Sequence, residues 1–160
     1  MTYIGAFAVI LGVFMSWRGY CSYLKEQLLF TKAFLDALKD YREKMKCYLK
    51  PLVAWAFEYS DEQLLSVGFL GAIREGKNVS LAYLESSEHC YLPNKVDSVL
   101  ESLFSHLGEG YLETELENLD AAILKLDAEA KRMTDELSQR KKVAGSLLGA
   151  LAVGVVILVI

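Results

Sequence analysis

Charge is missing from both ends of this 160-residue chain. No Asp, Glu, Lys or Arg occurs from Met1 to Trp17 or from Val143 to Ile160, so all 17 basic and all 21 acidic residues lie between Arg18 and Lys142. The first end reads MTYIGAFAVILGVFMSW and the last VAGSLLGALAVGVVILVI. As helices they would be about 25 to 27 Å long at about 1.5 Å per residue, close to the thickness of a hydrocarbon core of about 30 Å. A soluble helix tolerates Gly poorly, whereas closely packed membrane helices use it. Gly5 and Gly12 in the first end, and Gly145, Gly149 and Gly154 in the last, fit the second case. Together with 53% hydrophobic residues and a mean hydropathy of +0.24, this pattern predicts three parts. They are an N-terminal transmembrane helix over 1–17, a charged domain over 18–142 and a C-terminal transmembrane helix over 143–160.

A cleavable leader carries basic residues before its apolar run and small residues at the cleavage site. Here Arg18 follows the run, and Arg18, Gly19 and Tyr20 before Cys21 do not make a lipoprotein processing site. The first segment is therefore expected to stay as an anchor. Arg18 and Lys25 flank it on the inner side, and Arg140, Lys141 and Lys142 flank the second segment; positive-inside logic then puts the middle in the cytoplasm. Tyr3, Trp17, Tyr20 and Tyr23 suit the role of interface anchors.

Within the middle, the spacing is helical throughout and nothing alternates with a period of two. Leu24, Leu28, Thr31, Leu35, Leu38, Met45 and Leu49 recur in steps of four and three, with Arg42 interrupting, which predicts one long amphipathic helix continuous with the first apolar segment. Pro51 ends it or opens the next turn, and Leu52–Phe57 reads as a short helix. Ser60 with Gln63 is a capping box for a helix carrying Leu64, Leu65, Val67, Leu70 and Ile73. Val79 to about Glu88 is expected to form another helix. Pro93 and Asn94 start one bearing Val96, Val99, Leu100, Leu103 and Leu107, stopped by Gly108 and Gly110. Leu112, Leu116, Leu119, Ile123, Leu126, Ala130, Met133 and Leu137 then fall on a/d spacing over nearly four heptads, a seam that needs a partner helix. The Leu24–Leu49 helix is the expected partner, running antiparallel, with an intermolecular coiled coil as the rival. The expected class is thus an all-α bundle of about six helices, two of them long.

Chemistry-bearing patterns are sparse. There is no P-loop, GxSxG, HExxH or glycine-rich dinucleotide fingerprint, and no nucleophile has an evident base, so no catalytic, cofactor-binding or metal-binding residues are assigned and the chain reads as a non-enzyme. Cys21, Cys47 and Cys90 are odd in number and lack CxxC spacing, which implies reduced, mostly buried thiols rather than a disulfide framework. His89, Cys90, Cys47 and His106 make a poor metal set, because His89 and Cys90 are adjacent and diverge on a helix. Glu113, Glu115, Glu117, Asp120, Asp127 and Glu129 read as a solvated face of the last helix, or, more sharply, as an acidic docking face for a basic partner. A net charge of −4 with mixed signs gives no stripe for nucleic acid.

The arrangement resembles the stage III sporulation protein AB family of endospore-forming bacteria over nearly the whole chain. The resemblance rests on the short anchor and long helix closed by Pro51 and Leu52, and on Leu107 and Gly108 before the second long helix. Leu119, Ile123 and Leu126 within that helix, and Leu148 and Gly149 followed by VVILVI, complete it. The chain departs from the family pattern at Lys44, Cys47, Phe104 and Glu115. What the resemblance implies is a domain similar to the cytoplasmic helical domains of the type II secretion platform protein. It further implies membership of the trans-envelope complex between mother cell and forespore, with the domain in the mother-cell cytoplasm. The implied partners are that complex's secretion ATPase, stage III sporulation protein AA, and its channel subunits. A second reading is an oligomeric pore lined by the glycine-bearing segments. It is disfavoured because Thr2, Ser16 and Ser146 are the only polar side chains there and form no polar face.

Overall fold

The computed structural model describes the backbone of residues 2–108 and 110–159, and the side chains of residues 12, 15–108, 110–144 and 146. Every regular element among them is helical, and there is no strand. Among these residues no helix is long and apolar enough to cross a membrane. The two apolar ends expected to do so, 1–17 and 143–160, lie largely outside the residues whose side chains are described.

The first helix, α1, runs unbroken from Thr2 to Tyr48, as the continuous periodicity predicts. It stops because Pro51 disfavours a helical conformation at Lys50. Leu49 turns the chain at φ 51°, the left-handed position usually given to glycine, while its N–H still reaches the Met45 carbonyl at 3.0 Å. Pro51 then stands at the N-cap of α2, Leu52–Glu58.

The helix expected from a Ser60–Gln63 box differs in two respects. Its cap is Asp61, whose Oδ1 accepts the Leu64 N–H at 3.0 Å, so α3 spans Glu62–Ser66. A start at Glu62 also places an acidic side chain in the first turn, where the helix dipole favours it. The stretch then breaks at Gly68, φ 81°, and resumes as α4, Phe69–Arg74. In one straight helix Leu64 and Leu70 would point about 120° apart, at about 100° per residue. The break lets Leu64, Leu70 and Ile73 all become fully buried, at the cost of a left-handed residue that only glycine adopts freely. With Val79–Ser87 as α5 and Asn94–His106 as α6, and α7 spanning Leu112–Val159, the described residues hold seven helices rather than about six.

The core gathers around Phe34. Its ring meets Phe69 of α4 at 5.3 Å, Tyr83 of α5 at 5.7 Å and Phe104 of α6 at 6.4 Å between centroids, largely edge-on or tilted as aromatic quadrupoles prefer. Tyr83 carries its hydroxyl into this apolar cluster and donates it to Asp97 at 2.5 Å. Burial, then that hydrogen bond, pushes its pKa far above the usual phenol value. Trp55 of α2 closes the side, donating Nε1–H to Asp40 at 2.7 Å with its ring between Tyr41 and Tyr59.

The heptad seam finds its partner within the chain. α1 and α7 pack antiparallel more extensively than any other pair. Thr31 lies against Met133, with Oγ1 3.9 Å from the sulfur, Lys39 faces Asp127 at 3.6 Å, and Arg42, which interrupts the apolar series, meets Asp120 at 2.6 Å. Leu119, Leu126, Ala130, Met133 and Leu137 are buried as the a/d pattern requires. The pattern is incomplete in both directions: Ile123 and Leu116 are half-buried and Leu112 is exposed, while Ala122, off the seam, is buried. The reason is that α6 also packs on α7, so the covered face is wider than a two-helix stripe.

Candidate docking surface

Antiparallel pairing gives the bundle two distinct ends. At one, Tyr20 and Arg140 touch, the guanidinium carbon lying 4.8 Å from the ring centroid, and the apolar segments continue from there. At the other, α1 ends, α6 ends and α7 begins, so Leu49–Leu52 and Leu107–Leu112, distant in sequence, come together. This tip holds a groove of about 420 Å³ lined by Tyr41, Met45, Leu49, Leu52, Leu107 and Leu112, with Glu115 at its base.

Glu115 is nearly buried and accepts the Gly108 N–H at 2.8 Å and the Gly110 N–H at 3.2 Å, tying the turn between α6 and α7. Gly108 takes φ 95° there, which a side chain would resist. Burial, and secondarily the nearby Glu115 charge, pushes the Tyr41 phenol up to about 12. Around the groove stand Tyr111 at 87% exposed, Tyr48 at 71% and Leu49 at 69%. Lys44 sits 5.7 Å from the Tyr48 ring centroid. Monomeric surfaces carry scattered apolar side chains without consequence, but several large ones around one groove mark a contact site.

The acidic set on α7 does not form one free face. Glu115 points inward, Asp120 is engaged by Arg42, Asp127 by Lys131 and Lys39, and Glu129 by Arg132. The carboxyl of Asp120 is held below its usual range first by the hydrogen bond from Arg42, and that of Asp127 first by Lys131. Glu113 and Glu117 remain exposed. Of the six carboxylates, cross-helix and within-helix cations thus engage three, and one has turned inside.

The Cys and His residues are dispersed. Tyr91, next to Cys90, packs on Tyr23 at 5.7 Å, whereas Cys47 lies two dozen residues further along α1, about 36 Å at about 1.5 Å per residue. The expectation of mostly buried thiols is also corrected, because Cys47 is exposed and Cys21 and Cys90 are half-buried. Burial raises the Cys90 thiol to about 11. Among the described residues no three His, Cys, Asp or Glu side chains are grouped to hold a metal ion. The tip groove had no signal in the sequence, since neither periodicity nor a motif links Leu49 to Leu107 and Leu112.

The fold and this surface define a class: an all-helical bundle with two long antiparallel helices and an exposed apolar tip. No protein family, curated protein or solved structure matches the chain.

The cap on the α6–α7 turn is testable. Glu115→Ala should cost about 1–2 kcal/mol of stability, since it removes a charge-assisted acceptor from two backbone donors. Glu115→Gln, which keeps an acceptor oxygen, should recover about half. Denaturant melts of the full chain in detergent would measure both, and equal losses for the two variants would show that the amide acceptor does nothing at this turn.

Proposed function

We propose that the chain is a non-enzymatic membrane platform, anchored by 1–17 and 143–160, whose helical domain recruits a secretion-type ATPase. In the setting that the sequence resemblance implies, this is the trans-envelope complex between mother cell and forespore in endospore formation. The ATPase is then stage III sporulation protein AA, and the domain faces the mother-cell cytoplasm. The observation that carries this reading is the antiparallel pairing of α1 and α7. Two apolar segments leaving one end of a rigid pair fix the opposite end at a set distance from the bilayer. From Tyr20 to Tyr48 that distance is about 42 Å at about 1.5 Å per residue. At the far end Tyr48, Leu49, Tyr111 and Leu112 are exposed, which suits a surface that meets a partner.

Co-purification of the full-length chain with the ATPase tests the proposal. Leu49→Asp with Tyr111→Asp, both at highly exposed positions, should leave the fold intact and weaken binding at least about tenfold, the usual effect of losing interface anchors. Absence of any binding by the unmodified chain at high micromolar concentration would remove the adaptor role. Unchanged binding by the double variant would move the docking site away from the tip.

A further inference from the structure

The bundle's other end carries a different signal. Toward the apolar segments there is no acidic residue on α1 before Glu26 or on α7 after Glu136, yet Arg18, Lys25, Arg140, Lys141 and Lys142 all lie there. The Tyr20–Arg140 contact sets the register, so Arg18 and Lys142, two residues beyond on either helix, stand at about the same height. Arg140 is held by Glu136 at 2.6 Å and by the Tyr20 ring. Arg18, Lys141 and Lys142 are exposed and have no ion-pair partner among the described residues. In a chain of net charge −4, this end is a local cationic collar.

Immediately beyond the collar stand Met15, 65% exposed, half-buried Trp17 and Val143, 52% exposed. A ligand for this surface must offer negative charge and hydrocarbon side by side, within one helical turn. Nucleic acid supplies the first without the second. A free phosphate does likewise. An acidic protein surface would have to bury Met15 and Val143 while leaving the apolar segments room to continue.

We propose that Arg18, Arg140, Lys141 and Lys142 recruit anionic phospholipids, binding their phosphate headgroups while Met15, Trp17 and Val143 lie against the acyl chains. The collar then adds lipid selectivity to the anchor, and it rests on the membrane reading given above. The remainder of the domain, acidic on balance, is repelled by the same surface, so collar and domain together hold the α1–α7 pair upright. Tyr20 keeps the Arg140 guanidinium over its ring and thereby fixes one headgroup donor in place.

The test uses the full-length chain in vesicles of phosphatidylcholine with a minor fraction of phosphatidylglycerol, in which one lipid or the other is brominated. Trp17 is the reporter. Trp55 is buried against Tyr41, 24 residues along α1 from Trp17, and supplies a constant background. Brominated phosphatidylglycerol should quench Trp17 as if enriched about fivefold or more over its bulk fraction, given the attraction of each basic side chain to an anionic surface. The variant with R18Q, R140Q, K141Q and K142Q should lose that excess, and K141R with K142R should keep it. Equal quenching by both lipids in the unmodified chain overturns the collar while leaving membrane anchorage intact. Quenching by neither lipid overturns the collar and the anchor together. Loss of the excess on adding soluble glycerol phosphate would show a free-phosphate site instead of a lipid one.

Discussion

Phe34→Ala should lower the unfolding free energy by about 3–5 kcal/mol, the range for removing a large buried aromatic side chain from a packed core. Phe34 is fully buried, and its ring is the element common to α4, α5 and α6 through Phe69, Tyr83 and Phe104. Those three rings also touch one another, so they cannot collapse into the vacated space without giving up mutual contacts. The cavity term therefore adds to the transfer term. Denaturant unfolding of the full chain in mild detergent, followed by Trp55 fluorescence, measures the loss. Leu124→Ala, at 73% exposed, is the comparator and should stay within about 0.5 kcal/mol. A loss below about 1 kcal/mol at Phe34 would mean that the aromatic cluster is not what holds the short helices to α1.

The second large effect belongs to the α1–α7 pair. Leu126 is 1% exposed on the heptad seam of α7, and Leu126→Ala should cost about 3–5 kcal/mol by the same cavity argument. Leu112→Ala, on the same heptad series but exposed at the tip, should cost well under half of that. The contrast separates an intramolecular seam from a coiled coil between chains. In the latter, Leu112 would be buried against a second copy, and the two variants would be about equally damaged. Stability of an intermolecular pair also rises with protein concentration. The midpoint should therefore not move across a wide range of chain concentration in detergent.

The long helices were readable because their signal is local and repeated. Leu119, Leu126, Met133 and Leu137 recur at heptad spacing, and each repeat reports the same buried direction. Thr31 and Met45 do so on α1. The short helices were readable by their breakers: Pro51, and Pro93 with Asn94, each stop or start an element for a steric or hydrogen-bonding reason that does not depend on neighbours. Where the structure departs from the local pattern, two local choices are nearly equal and the tertiary context decides between them. Ser60 and Asp61 are comparable caps, and Asp61 prevails where the helix must deliver Leu64 to the core. Gly68 could have continued a helix at modest cost, yet becomes a break because Leu64, Leu70 and Ile73 could not otherwise all be covered.

The candidate surfaces were less legible. Arg42 looked like a flaw in an apolar series and is a cross-helix partner of Asp120, a pairing set by register. Glu115 looked like one more solvated carboxylate and ties a turn whose donors lie five and seven residues before it. Phe104, absent from the apolar series read along α6, is buried against Phe34.

Composition and spacing alone determined that the chain is all-helical, that its charge is confined to residues 18–142, and that two long helices carry complementary apolar faces. These follow from one-dimensional periodicity, which a helix converts directly into a face. Only the tertiary structure decided that the seam closes within one chain and that Leu49, Leu52, Leu107 and Leu112 share a groove. It also decided that Arg18 and Lys142 stand level at the opposite end. Each of these is a relation between residues far apart in sequence. It arises because packing of Phe34 and Leu126 sets where the helices lie against one another, and that register has no trace in either segment by itself.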